Sequence, residues 1–377
     1  MRRQCRGERP PEQVKAMMDG AGRTAEQRLR VLLLYAIPRK VAPHDYVPGT
    51  RPDPFEQWQL LSEQGIDVEI MDPTPWPLNP FAGSHSLYQS VDPCRALKVL
   101  LVRRDFDLVV VANDGGAIVL VLLRWLVRFK VPILIWDLCP TTDWRLRSRI
   151  QDYVVPRVDG ILAIHSSQAP YIANRWGSRI PVSVTGYSTD TTFYHPGYNA
   201  SPEYILAIGD DPERDFPTLL AAMAGGPDEL VIRTTLSIPL DRQRHPSIRL
   251  IRERLDFVAF RNLYARSRFV VLPLMPHPTN ASGVTTLAET FAMGKPLIVT
   301  ASDGIGDFLR PDENCLVVPA FDVAALRAAI ERLQREPQTC ERLGHNARRF
   351  AEERLSRPAF ARHFAETLRL HARCRKA

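Results

Sequence analysis

Short apolar runs recur along the chain, each followed by a stretch with helical period. The runs Arg30–Tyr35, Asp67–Met71, Phe106–Val111, Val131–Asp137, Gly160–Ile164 and Val182–Val184 read as buried strands. Residues 55–64, 95–104, 117–129, 150–155 and 167–176 between them read as helices. Strand and helix alternating at this spacing imply right-handed βαβ units and a parallel sheet. Residues 186–201 carry Gly, Pro, Asn, Ser and Thr without an apolar period and read as a linker region. The alternation then restarts, with strands at 204–209, 229–233, 248–251, 269–273, 297–299 and 315–318 and helices at 216–223, 260–267 and 321–336. Two further helices, about 339–353 and 357–373, close the chain. The expected architecture is α/β, with two doubly wound Rossmann-like domains facing each other across a cleft. We divide it as a basic tail at 1–28 without periodicity, a first domain at 29–190, a linker at 191–201, a second domain at 202–355 and a C-terminal helical segment at 356–377.

The stretch Asn280–Val299 organises the second half. It reads as a turn of small residues, a short helix stopped by Gly294 and Pro296, and the buried strand Leu297–Val299. Asn280 or Ser282 is placed to cap the helix. A helix N-terminus facing a cleft attracts anions, and Ser282 and Gly283 are small enough to admit a phosphate to the backbone. Glu289 lies two turns inward, where a carboxylate accepts hydrogen bonds from a diol such as ribose. Phosphate at the cap and hydroxyls further along describe a nucleotide; a capped core helix with a surface Glu is the plainer alternative.

Composition narrows this little: hydrophobic content of 45% and charged content of 24% are ordinary for a globular protein. The formal net charge is +7, of which residues 1–30 hold +4 and residues 356–377 hold +5. Basicity concentrated in the tails gives no reason to expect a nucleic-acid groove. The six cysteines lie apart without C-x-x-C spacing, which argues for reduced thiols and a cytoplasmic setting. The first residues show no apolar signal core, and the apolar run from Ala117 is broken by Arg124, short of the roughly 18–20 residues of a membrane span. Residues 120–130 interleave apolar positions with Arg124, Arg128 and Lys130. They suit either a helix lying on a membrane surface or a buried interdomain helix with basic ends.

Several loops carry chemistry. A Pro-rich loop bearing Arg39, His44, Asp45 and Arg51 follows the first strand, at the sheet end where ligands bind in open parallel sheets. Asp137 ends the fourth strand. Arg214 lies at the start of a helix, where it serves a diphosphate or simply pairs with Asp215. Asp210–Asp211 is the only pairing that suggests a metal, and no further carboxylate or His cluster supports one, so no metal is expected. Of the histidines, His44 and His277 lie on expected cleft loops.

Residues 282–298, with Gly304–Asp307, Asn314–Pro319 and Asp322–Ile330, resemble the donor motif of the retaining GT-B glycosyltransferases of family 4. The likeness is strong over about 200–355 and weaker over 30–195, where it rests on strand order and Trp136–Leu138. It implies a GT-B fold, with a nucleotide-diphosphate sugar donor as co-substrate in the second domain and no cofactor. The acceptor, a saccharide, lipid-linked or small-molecule hydroxyl, would bind the first domain, and the last helix would cross back to it. Carried over, Glu289 would hold the ribose, the backbone of Ser282, Gly283, Val284 and Thr285 the diphosphate, and Arg214 the diphosphate as the second member of a basic pair. Asp210 stands where the first member is expected, and Ala281 replaces a family Glu near the transferred sugar. Asn280 is adjacent and offers the sugar hydrogen bonds without charge. Asp307 stands where the family often has another Glu, and Trp136 replaces a His.

The expected chemistry is metal-independent hexosyl transfer with retention in carbohydrate biosynthesis. Arg214 and the 282–285 amides would stabilise the leaving group, and Asp137 would orient the acceptor hydroxyl or the sugar. His44 and Arg39 would lie on the acceptor side. Peripheral contact with the inner membrane face fits the basic tails, and no nucleic-acid partner is expected. A non-catalytic nucleotide- or sugar-binding protein on the same scaffold is the main alternative, motivated by Ala281 and Asp210; an epimerase or phosphorylase is a third.

Overall fold

The computed structural model describes residues 28–35, 46–75, 92–112, 115–126, 128–140, 145–198, 201–226, 229–241, 243 and 246–373. The first lobe contains strands β1 (Leu29–Leu34), β2 (Ile66–Met71), β3 (Leu108–Ala112), β4 (Ile133–Trp136), β5 (Gly160–Ala163) and β6 (Val182–Val184). Its helices are α1 (Glu56–Glu63), α2 (Pro93–Val102), α3 (Ile118–Leu126), α4 (Arg145–Val154) and α5 (Gln168–Trp176). All six strands are parallel, in the order β2-β1-β3-β4-β5-β6.

The period-two pattern of these strands sorts their side chains onto two faces. Leu32, Leu34, Val109, Val111, Ile133 and Ile135 meet α2, α3, α4 and α5 on one face. Val31, Leu33, Leu108, Val110, Leu134 and Leu162 on the other face meet α1 and α11 (Arg357–Arg373). The last described helix thus packs on the first sheet. Phe360, Phe364 and Leu368 recur at helical spacing, and Phe364 lies 5.1 Å from the Trp136 ring. Burying each such side chain contributes about 1.5–3 kcal/mol. Residues 120–130 do not form an interdomain helix: α3 covers an outer face of the first sheet, because Leu120 and Val121 point inward while Leu122 points to solvent.

The second lobe contains β7 (Tyr204–Ile208), β8 (Leu230–Arg233), β9 (Ile248–Ile251), β10 (Ser267–Leu272), β11 (Leu297–Thr300) and β12 (Leu316–Val318). They form a second parallel sheet, ordered β12-β11-β10-β7-β8-β9. Helices α6 (Phe216–Met223), α7 (Phe257–Arg266), α8 (Val284–Ala292), α9 (Val323–Arg335) and α10 (Pro337–Phe350) flank it. Asp215, Asp256 and Asp322 each cap their helix by accepting from a backbone amide three residues on. Asp215 is therefore a cap and not the partner of Arg214. Strand order reverses between β7 and β10, which opens a crevice at the C-terminal ends of those two strands.

The linker and the last helix are tied to the first lobe at Asp190. Its carboxylate accepts from the amides of Asp53, Thr192 and Phe193, from the Thr192 hydroxyl at 2.6 Å and from Arg357 at 2.9 Å. Arg357 also pairs with Glu56 at 2.7 Å. Burial would raise the Asp190 pKa, but the Thr192 hydroxyl, Arg357 and the amides outweigh it and hold it below the usual carboxylate value.

Candidate functional site

The crevice at the second sheet's switch point is a cavity of about 670 Å³. It is walled by the turn after β7 (Gly209, Asp210, Asp211, Arg214), the end of β8 (Arg233), the start of α7 and the turn leading into α8 (Asn280–Thr286), with Glu289 inward. That volume suits a nucleotide-sized ligand.

Arg214 is buried, with Nε donating to Ile208 O at 3.2 Å and Nη1 to Ser282 Oγ at 2.9 Å. The Ser282 hydroxyl donates in turn to Asp211 at 2.8 Å. A Cβ on Gly209 would fall 2.1 Å from Arg214 Nε, so the glycine makes room for the guanidinium beneath the turn. The expected side-chain cap on α8 is absent. Gly283 is the cap residue, in the left-handed region with φ +86°, and no side chain accepts from the helix N-terminus. Ser282 is drawn away by Arg214 and Asp211, and a Cβ at 283 would press on Leu272 at 3.0 Å. The Val284 amide turns back to Ala281 O at 3.0 Å, and no side chain caps the amides that follow it at the cavity wall.

Glu289 accepts from the Tyr264 hydroxyl at 2.7 Å and is also hydrogen-bonded to Tyr194. Desolvation raises its pKa to about 7, against the lowering effect of the two tyrosines. It lines the cavity wall rather than the outer surface, so a carboxylate near its titration point sits two turns behind an anion-attracting helix end.

Arg233 and Glu213 have no signal in the sequence pattern, and Asp211 and His277 take roles that the pattern does not give them. Arg233 is buried at the end of β8, pairs with Asp210 and lies 5.3 Å from the Phe260 ring. Asp210, which displaces the expected basic residue, thereby anchors a cation that arrives from the next strand. Asp211 orients Ser282 and accepts from the Glu213 amide. Glu213 accepts from Asn280 Nδ2 at 2.9 Å, and its second carboxylate oxygen is buried with no hydrogen-bond partner. A carboxylate therefore stands beside Asn280 even though Ala281 carries none. His277 accepts from the amides of Thr279 and Asn280, which shapes the turn. Arg233–Asp210, Asp211–Ser282 and Glu213–Asn280 join residues more than twenty positions apart, so only folding brings them together.

A second cavity of about 350 Å³ lies in the first lobe, lined by Tyr35, Gln57, Trp136, Asp137, Tyr187 and Phe360 among others. Asp137 occupies the left-handed region at φ +59°, uncommon for a residue with a Cβ. Desolvation raises its pKa and Arg147 opposes this. Tyr187 joins the two cavities: it lines the second, and its hydroxyl lies 2.7 Å from Thr285 Oγ1 in the first. Arg39 and His44 lie outside the described residues.

The cleft is clasped at its edge. Ser166 donates to both carboxylate oxygens of Asp307, by its amide and its hydroxyl, each at 2.6 Å. Thr279 O accepts from Gln168, and His165 Nε2 lies 3.1 Å from it. Burial lowers the His165 pKa. It is a satisfied structural histidine that joins the lobes. Among the described residues no group of three or more His, Cys, Asp or Glu is placed to hold a metal ion. No described helix is long and apolar enough to cross a membrane.

Two facing Rossmann-like lobes with a crevice at the second switch point define the GT-B fold. Sucrose-phosphate synthase from Thermosynechococcus elongatus shares it, with a TM-score of 0.67 at 17% identity over 91% of this chain and 99% of that one. HepE of Anabaena, solved in complex with UDP-glucose, gives 0.63 at 15% identity over 91% and 100%. The lipopolysaccharide outer core galactosyltransferase WaaB gives 0.65 at 12% over 91% and 99%. In sequence, residues 223–336 match the family described as glycosyl transferases group 1. A search of curated proteins gives no match.

Proposed function

We propose that the protein is a glycosyltransferase that moves a sugar from a nucleotide-diphosphate donor to a hydroxyl acceptor with retention of configuration, as in family 4. The observation that carries this is the second-lobe cavity, where buried Arg214, the uncapped start of α8 and Glu289 follow one another along one wall. The group 1 match covers the α8 part of that wall with Glu289, though not Arg214, and HepE, which shares the fold, was solved in complex with UDP-glucose. The diphosphate would lie on Arg214 and the amides of Ser282 to Thr285, with the ribose diol on Glu289. Asn280 and Glu213 would face the sugar. These donors are preorganised toward the charge that grows as the glycosidic bond breaks, which is where electrostatic stabilisation accelerates most. The departing phosphate would take the acceptor proton on the same face, which retains configuration. Asp137 would orient the acceptor hydroxyl, and closed lobes would exclude water.

We propose that no metal takes part: Asp210 is held by Arg233 and Thr235, and Asp211 by Ser282 and Glu213, so neither carboxylate is left to a cation. We also place the protein on the cytoplasmic side of the membrane, since its six cysteines lie apart in the sequence without C-x-x-C spacing.

The test is a melting screen with nucleoside diphosphates, followed by donor turnover in EDTA and NMR of the product anomer. One nucleotide should raise the melting temperature and its sugar conjugate should be consumed. Tight nucleotide binding with no transfer to any acceptor would favour a non-catalytic binding protein. An inverted anomer would remove the family 4 mechanism.

A further inference from the structure

Helices α2, α3 and α4 lie side by side over one face of the first sheet, and their inner residues Ala96, Val99, Leu100, Leu120, Val121 and Val154 form one core with it. Their outer side is unusually apolar. Leu101 is 83% exposed, Leu97 56%, Leu122 53% and Leu146 42%. Leu97 and Leu101 are one helical turn apart, on the side of α2 opposite its buried residues.

The same layer is strongly basic. Residues 93–105, 118–130 and 145–157 carry four, three and four Lys or Arg and contain Asp105 and Asp152; two of the cations are paired just outside these ranges, buried Arg95 with Asp92 and Arg124 with Asp159. Lys98, Arg104, Arg128, Lys130 and Arg149 are exposed. Asp152 already serves Arg175 and Trp176. Of the formal net charge of +7, residues 1–30 hold +4, residues 356–377 hold +5 and this layer holds +9, so the rest of the chain nets −11. The nearly neutral sum over the body of the chain conceals a sharp separation of charge. On the opposite face of the sheet, α1 and α11 carry four basic and three acidic residues.

Exposed leucines set among exposed cations suit a surface that is anionic at its edge and apolar beneath. A folded acidic protein would satisfy the cations but leave the separate leucines without pockets. We propose that the α2–α4 face docks the protein on an anionic lipid bilayer, with Leu97, Leu101 and Leu122 inserting at the headgroup boundary and Lys98, Arg104 and Lys130 meeting lipid phosphates. This surface does not depend on the transferase reading. If that reading also holds, docking brings the Asp137 cavity, in the same lobe, close to hydroxyls carried on lipids.

The test is co-sedimentation of the full chain with vesicles of phosphatidylcholine alone, or with about one-third phosphatidylglycerol. The protein should partition onto the anionic vesicles only, and less so as salt is raised. Lys98→Gln/Arg104→Gln/Lys130→Gln should lower the partition coefficient about 100-fold, each cation near such a surface being worth roughly fivefold. Leu97→Gln/Leu101→Gln/Leu122→Gln should lower it about tenfold or more with an unchanged salt slope, since insertion and charge act separately. All six side chains are exposed, and an unchanged melting temperature confirms that the variants fold. Equal binding to neutral vesicles would overturn the proposal. So would undiminished binding of both variants, which would assign the contact to the basic tails. Self-association of the wild type that the leucine variant abolishes, with lipid binding unaffected, would make the face a contact between copies and overturn it too.

Discussion

Glu289 gives the sharpest test of the donor cavity. Its pKa is raised from about 4.5 to about 7 by desolvation. A raised carboxylate favours folding below the unfolded value, and that contribution is lost as pH rises through 7. Keeping the empty site charged at pH 8 therefore costs about 3 kcal/mol. A diol donating to the carboxylate favours the ionised form, so the ligand should bind more tightly above pH 7. Between pH 8 and pH 6 the ionised fraction falls from about 0.9 to about 0.1, which predicts an affinity loss of about ninefold, or about 1.3 kcal/mol. Calorimetry with UDP-glucose, or with whichever nucleotide sugar stabilises the protein most, would measure this, because a diphosphate diester does not itself titrate in that range. Glu289→Gln keeps an acceptor for Tyr264 and removes the charge. It should bind more weakly by about 1.5–3 kcal/mol, lose the pH dependence, and melt at a higher temperature than wild type at pH 8. A flat wild-type profile, or the same slope in Glu289→Gln, would refute the role of this carboxylate.

Other outcomes follow from the same geometry. Gly209→Ala should displace Arg214 and weaken nucleotide binding tenfold or more, and the melting temperature should fall as well, since the clash at 2.1 Å falls on a buried guanidinium and the backbone there has φ +153°. Asp137→Asn should lower kcat with little change in donor affinity; unchanged turnover would dispose of its orienting role. Asp190→Ala should destabilise the protein by about 1–3 kcal/mol, measured by denaturant unfolding, because it leaves three backbone amides without their acceptor and takes one of two carboxylate partners from Arg357. With its lowered pKa, Asp190 supports stability above the unfolded carboxylate value, and that support disappears as pH falls through the folded value.

The alternation of apolar runs was sufficient to read both sheets, because parallel strands buried on both faces leave few polar positions to confuse the period. Helix starts were less legible. The α7 helix begins at Phe257, capped by Asp256, three residues before its apolar pattern becomes regular. Around the cavity, Ser282, Arg214 and Glu289 were legible as a turn, a cation and an inward carboxylate. Their couplings were not: Asp211 and Ser282 are 71 positions apart, and Glu213 and Asn280 are 67. The side-chain cap expected on α8 failed because a buried guanidinium competes for the Ser282 hydroxyl. The charge of the α2–α4 layer was hidden by summing over the body of the chain, where acidic residues elsewhere cancel it.

The short turn Asp303–Phe308 has two neighbours at once. At Gly304 a single methyl group would meet the carbonyl of Asn280 at 1.9 Å, so the turn lies flat against the backbone leading into α8. Three residues later Asp307 holds Ser166 of the other lobe, and Asp303 O accepts from Ser167. The 280–283 backbone thus rests on a hexapeptide that the far lobe also holds, beside the direct contacts of His165 and Gln168 with Thr279 O. The cavity wall and the seam between the halves therefore share one short element, and by thermodynamic reciprocity any coupling it carries must run both ways.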